Sequence, residues 1–185
     1  MEALRDFYRA GGTHVILCHQ PYSEVPISTR EDFAESYRIT LRLAERGNAE
    51  TEVGVFACVG PYPVLLIGLA ERFGLARAVE IMKGGMEEAQ RLVLEHKAVA
   101  IGEIGRPHFP VSAEIVEASN DIMRYGMELA REASCPVVLH TESADPAVMH
   151  VPESHIEEAR KSHVNIVVAG HMRSCSTSPT RTSRG

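Results

Sequence analysis

The sequence predicts an α/β fold built on a parallel sheet. Five apolar runs carry the prediction: THVILCHQ at 13–20, TEVGVFACVG at 51–60, AVAIGEIG at 98–105, PVVLHTE at 136–142 and VNIVVAGH at 164–171. They are continuous rather than alternating, as strands are when helices cover both faces of the sheet. Helix-like stretches separate them at intervals of about 30–45 residues, the spacing of βα units. Two architectures fit this order: a doubly wound open sheet, and a (β/α)8 barrel that is incomplete in this chain. The sequence contains no internal repeat.

Each connecting stretch has its own signals. Pro21 and Pro26 mark a turn after the first strand, and Ser28 with Glu31 three residues on forms a capping box for a helix. Phe33, Tyr37, Leu41 and Ala44 follow at helical spacing, and Gly47 can end that helix. Pro61 and Pro63 punctuate the exit from the second strand, before a short helix over 64–72. Leu75, Val79, Met82, Met86, Ala89 and Val93 lie on one stripe of a long helix, which Gly84 and Gly85 weaken locally. That stripe reads as core packing. Ser112 caps a helix running to about 133, with Ile122, Met123, Met127 and Ala130 inward. Pro152 suits the first turn of a further helix carrying Ile156 and Ala159.

The bulk numbers narrow the function classes. A chain of 185 residues is long enough for one domain with a real core. Its net charge of −6 gives no general attraction to nucleic acid or anionic membrane, so any phosphate binding must be local. Cys18, Cys58, Cys135 and Cys175 form no C-x-x-C pair and read as structural thiols of a reducing compartment. The N-terminal MEALRDFYRA has no apolar leader core, and no apolar run reaches the ~18 residues of a membrane span. The expectation is a cytoplasmic protein with no membrane association. Residues 1–173 read as the domain. Residues 174–185, SCSTSPTRTSRG from Ser174, lack any aliphatic side chain and read as a disordered or aberrant polar tail.

The chemistry concentrates at strand ends. In either architecture ligands bind at the carboxyl ends of the parallel strands. VAIGE ends on Glu103, VVLH on His140 and VVAGH on His171. A carboxylate and two imidazoles form a donor set for zinc, and manganese or another divalent ion also suits it. Glu103 is the most informative of the three. A carboxylate among Ala100, Ile101 and Ile104 is costly to bury unless it is paired or metal-bound. Arg106 and His108 in GRPHFP follow the third strand, where a substrate loop belongs, and an arginine there can hold a phosphate or carboxylate. His19, near the end of the first strand, is a further substrate-side candidate. Glu142, with Asp145, is a candidate to orient a ligating imidazole from behind. His14, His96, His150, His155 and His163 have no convergent context. The sequence has no G-x-G-x-x-G after a strand, no P-loop and no G-x-S-x-G.

AIGEIG, PVVLHTES and the run ending on His171 resemble the TatD-like metal-dependent hydrolases of the amidohydrolase superfamily, and GVFACVGPYP with GEIGRPHFP resembles its archaeal branch. The resemblance spans about residues 10–171. It implies a (β/α)8 TIM-type barrel with one or two divalent ions (zinc, manganese or magnesium) that hydrolyses ester or amide-type bonds, deoxyribonucleases included. It makes Glu103 the carboxylate that bridges two metals and the catalytic residue of the set, with His140 ligating the second metal and His171 completing that site. Two family features have no counterpart: the His-x-His of the first strand, and the Asp of the last. The expectation is therefore a partial barrel lacking strands one, seven and eight, with open edges prone to self-association. Its function is expected to be metal-dependent cleavage of an ester-type bond, on a small molecule or a DNA end, with reduced or no activity in this chain. The alternatives are a catalytically inactive remnant or interaction subunit, and a barrel enzyme using Glu103 as a metal-free proton acceptor.

Overall fold

The computed structural model describes residues 1–140 and the strand at 166–169. The described elements are, in chain order, α1 (Glu2–Arg9), β1 (His14–Cys18), α2 (Arg30–Glu50), β2 (Gly54–Val59), α3 (Leu65–Phe73), α4 (Leu75–Leu94), β3 (Ala100–Gly105), α5 (Ala113–Glu132), β4 (Val137–His140) and β5 (Ile166–Ala169). All neighbouring strands are parallel, and their order in the sheet is β1-β2-β3-β4-β5. That order decides between the two expected architectures. A doubly wound sheet reverses direction at a switch point, whereas a barrel adds each new strand on the same side of the last. The chain forms part of a TIM-type barrel.

The main core lies between the helices and one face of the sheet. Phe33 and Tyr37 of α2, Met82 and Met86 of α4, Met127 of α5, and Ile101, Ile104, Val137 and Leu139 of the strands form one buried cluster. Every residue of the Met-containing stripe expected on α4 packs into or against that cluster. Gly85 is what lets α2 lie close to α4, because a β-carbon there would meet the Phe33 ring at 2.7 Å. The Tyr37 hydroxyl donates to the Gly85 carbonyl at 3.2 Å in the same contact.

The opposite, inner face of the sheet carries a smaller cluster of Cys58, Ala100 and Val138 with Cys18 against it. Ile16 and Phe56 are register partners whose sequence neighbours Leu17, Val55 and Ala57 pack on the helix side. They are 44% and 42% exposed. Full burial of both faces, expected for all strands, holds for β3 and β4 and not for β1 and β2.

Several local expectations shift. The α2 box is Thr29 with Asp32, one residue later than Ser28 with Glu31, because the Asp32 carboxylate accepts from the backbone N–H of both Ser28 and Thr29 at 2.8 Å. Gly47 does not end α2. It is buried inside the helix, which stops at Thr51, whose hydroxyl and N–H both donate to the Gly47 carbonyl. Asn48 has a role that periodicity does not reveal: its amide accepts from the Val55 N–H and donates to the Val55 carbonyl, both at 2.8 Å. It thus serves backbone groups of β2 at a point where β3 has not yet paired with it. Ser112 caps α5 as expected, accepting from the Ile115 N–H at 3.3 Å. The helix expected after Pro152 and the polar tail lie outside the described residues.

Candidate active site at the carboxyl ends of the strands

A bulge in β3 builds the site. Gly102 pairs with Val138 and Ile104 with Leu139, so Glu103 is an extra residue on the β3 side. Strict alternation from the core residue Ile101 would place Glu103 toward the helices and Ile104 toward the barrel interior. The added residue returns Ile104 to the helix-side core and leaves Glu103 facing its neighbours at the strand ends. The two glycines of GEIG make room for this. A β-carbon on Gly102 would lie 2.7 Å from that of Val138, and one on Gly105 would lie 2.1 Å from the His140 carbonyl oxygen. Gly105 also has φ +138°, in the range that disfavours other residues.

Glu103 and His140 meet across β3 and β4. Glu103 Oε2 lies 3.5 Å from His140 Nδ1, and the residues are 9% and 2% exposed. Gln20, two residues past β1, donates its amide to the same Oε2 at 3.2 Å. On the other side of the His140 ring, Nε2 lies 3.1 Å from His108 Nδ1. Tyr62, after β2, packs edge-on to His140 with ring centroids 5.0 Å apart. Its half-buried hydroxyl is raised above its usual pKa, first by burial and then by the negative charge of Glu103. Four of the five strands thus send a residue from their carboxyl ends to one crevice.

The expected residues divide accordingly. Glu103, His140 and His108 come together. Arg106 belongs to the same segment, tied by its backbone N–H to the His140 carbonyl at 3.2 Å. His19 takes a different place from the substrate-facing one expected. It is 1% exposed, with Nδ1 2.9 Å from the Thr40 hydroxyl and Nε2 3.3 Å from that of Ser36, so α2 engages both ring nitrogens. Burial pushes its imidazole down to about 4. His171 and Glu142 lie outside the described residues. Gln20 and Tyr62 were missed by sequence reasoning, although each stands just beyond an apolar run, in the position that singled out Glu103.

Among the described residues, no group of three or more His, Cys, Asp or Glu gathers as a ready-made metal cage. The donor chemistry nevertheless fits a divalent ion, since a buried carboxylate beside a buried imidazole is stabilised by a cation between or beside them. Cys18, Cys58 and Cys135 are free thiols. Cys18 and Cys58 are register partners, and hydrogen bonding between their thiols lowers the Cys18 pKa and raises that of Cys58. Among the described residues no helix is long and apolar enough to cross a membrane.

A parallel β/α partial barrel presenting a carboxylate and imidazoles at its strand ends has the layout of a barrel hydrolase. The TatD related DNase family model matches residues 1–181, and the chain belongs to that family. It is 36% identical over 141 residues to uncharacterized protein MJ1127 of Methanocaldococcus jannaschii, a match covering 76% of this chain and 48% of that one. The chain therefore spans about half the length of the curated relative it matches. Among solved structures it is similar to YjjV, a TatD homologue from Escherichia coli, at 17% identity and a TM-score of 0.46, covering 83% of this chain and 66% of that one.

Proposed function

We propose that the chain carries part of a metal-dependent hydrolase site that cleaves an ester-type bond, a phosphodiester in DNA being the first candidate. The observation that carries this is the contact of Glu103 Oε2 with His140 Nδ1, 3.5 Å apart on adjacent strand ends. Glu103 and His140 would hold the ion, with His171 as the further ligand that the family resemblance implies. When bound, a zinc, manganese or magnesium ion supplies Lewis acidity toward a phosphoryl or carbonyl oxygen.

The chain's own residues prepare the crevice. The Gln20 amide fixes one oxygen of Glu103, and Tyr62 packs against one side of the His140 ring. Arg106, beside the strand ends, offers a permanent positive charge to a phosphate of a DNA end or to a small-molecule anion. Glu142 is proposed to orient a ligating imidazole from behind. A reducing cytoplasm is the compartment that suits the free thiols.

The test is metal content by elemental analysis of the wild type and Glu103→Ala, with phosphodiesterase activity on bis(p-nitrophenyl) phosphate and on DNA followed in parallel. The expected result is bound metal in the wild type and its loss in the variant. Equal stoichiometry in both overturns the site.

A second reading is suggested by one observation: outer strand β1 leaves Ile16 44% exposed. In that reading the chain is an inactive remnant or an interaction subunit, associating through the outer strands of the described sheet. Metal binding without turnover, together with a self-associated species in sedimentation, supports that reading.

A further inference from the structure

We propose that Cys18 and Cys58 form a peroxide-oxidisable dithiol, in which Cys18 reacts first and Cys58 closes the disulfide. The assignment stands on the register of β1 and β2 and does not depend on the hydrolase reading.

The two thiols are far apart in sequence and adjacent in the sheet. Cys18, the last residue of β1, pairs with Cys58 of β2. The backbone fixes that alignment, since the His19 N–H donates to the Cys58 carbonyl at 2.8 Å. Both side chains lie on the inner face, where Cys58 clusters with Ala100 and Val138 and Cys18 packs against them. Their sequence neighbours Leu17 and Ala57 pack on the helix side. Paired residues on adjacent strands stand about 4.7–4.9 Å apart, inside the roughly 4.4–6.8 Å that a disulfide spans between α-carbons. The bridge therefore needs rotation of the side chains and no re-pairing of the strands.

The two sulfurs differ in access and in ionisation. Cys18 is half-buried and within reach of a small oxidant, whereas Cys58 is buried. A hydrogen bond with Cys58 lowers the Cys18 pKa, outweighing burial and the negative charge of Glu103. The same contact, with burial, raises that of Cys58. The thiolate is the nucleophile, so Cys18 is the sulfur that attacks. Cys135 is the contrast within the same chain. It is also half-buried, but it packs against the helix-side cluster, and burial raises its pKa.

The chemistry balances with a hydroperoxide as oxidant. The Cys18 thiolate attacks one peroxide oxygen and the O–O bond breaks. The sulfur loses two electrons and becomes a sulfenic acid, while the other oxygen takes a proton from solvent and leaves as water or an alcohol. The Cys58 sulfur then attacks the Cys18 sulfur. The S–O bond breaks, and the hydroxyl leaves with the Cys58 proton as water. Exchange with a reduced dithiol restores both thiols. In a reducing compartment, disulfides that do form are of this transient kind.

The alternative is that the pair only fills the barrel interior. Full-length wild type, Cys18→Ser and Cys58→Ser are treated with hydrogen peroxide, quenched with N-ethylmaleimide in acid, and mapped by mass spectrometry without reduction. Dimedone traps any sulfenic acid, and circular dichroism confirms the fold of each protein.

In the wild type the expected product is a Cys18–Cys58 disulfide, with loss of two hydrogen atoms, that dithiothreitol reverses. Thiol loss at Cys18 is expected to be roughly 10-fold faster than at Cys135, the ratio that a tenfold larger thiolate fraction gives. Cys58→Ser should accumulate the dimedone adduct on Cys18, and Cys18→Ser should leave Cys58 as a thiol. Wild type in which Cys18 is oxidised to sulfinic acid beside a free Cys58 overturns the proposal. Equal oxidation rates at Cys18 and Cys135, or no disulfide between Cys18 and Cys58, also overturn it.

Discussion

Glu103 and His140 face each other across two parallel strands because β3 carries one residue more than β4 between Gly102 and Ile104. The bulge turns a carboxylate that alternation would send into the helix-side core toward an imidazole 3.5 Å away. A site that depends on a local backbone irregularity should be sensitive to the residues that permit it.

Gly105→Ala tests that dependence. The substituted β-carbon would lie 2.1 Å from the His140 carbonyl oxygen, at a backbone φ of +138°. Such a clash, in a conformation that side chains rarely adopt, is expected to cost about 3 kcal/mol or more of stability. Urea unfolding measures it. A variant as stable as the wild type contradicts the packing of β3 on β4 described here.

Gln20→Leu tests how Glu103 is held. Gln20 is exposed apart from its contact with Oε2, so thermal stability should be unchanged. Losing the amide donor should weaken Mn²⁺ binding about 10-fold, the scale of losing a group that orients a ligand. Unchanged affinity by calorimetry removes Gln20 from the site.

Gly85→Ala tests the approach of α2 to α4. Its β-carbon would press into the Phe33 ring, and overpacking of this kind costs about 1–3 kcal/mol. Phe33→Leu in the same chain should recover part of the loss, giving a non-additive double-mutant cycle. Additive effects contradict the contact.

His19 predicts a pH dependence of stability. Burial holds its imidazole at about 4, below the ordinary 6.5, so the unfolded chain takes up the proton first as pH falls. The stability tied to neutral His19 is therefore complete above about pH 6.5 and is lost as pH falls toward 4. A shift of this size corresponds to about 3 kcal/mol over that window. Urea melts at neutral pH and near pH 4.5 should show a smaller acid loss in His19→Gln than in the wild type. Equal losses contradict the buried, α2-bonded ring.

The α/β class, the five strands and the inward stripes of α4 and α5 were legible in the sequence, because uninterrupted apolar runs and helical stripes report burial directly. The choice of barrel over doubly wound sheet came from the family resemblance of AIGEIG and PVVLHTES and not from the run pattern, since strand order is a property of pairing rather than of any one segment. Glu103 and His140 were legible because each ends an apolar run. Gln20 and Tyr62 were not, because a polar or aromatic residue beside a proline reads as an ordinary turn. His19 looked like a site residue from its place near a strand end. The hydroxyls that engage its ring, on Ser36 and Thr40, are one helix away in sequence, and no local pattern announces them. The role of Asn48 was hidden in the same way.

The central claim is that a divalent ion binds where Glu103 meets His140. Anomalous scattering from crystals grown with Mn²⁺ or Zn²⁺ tests it most directly. The account predicts a peak within about 2.3 Å of a His140 ring nitrogen and beside Glu103. A well-occupied ion elsewhere, with no peak at His140, contradicts it.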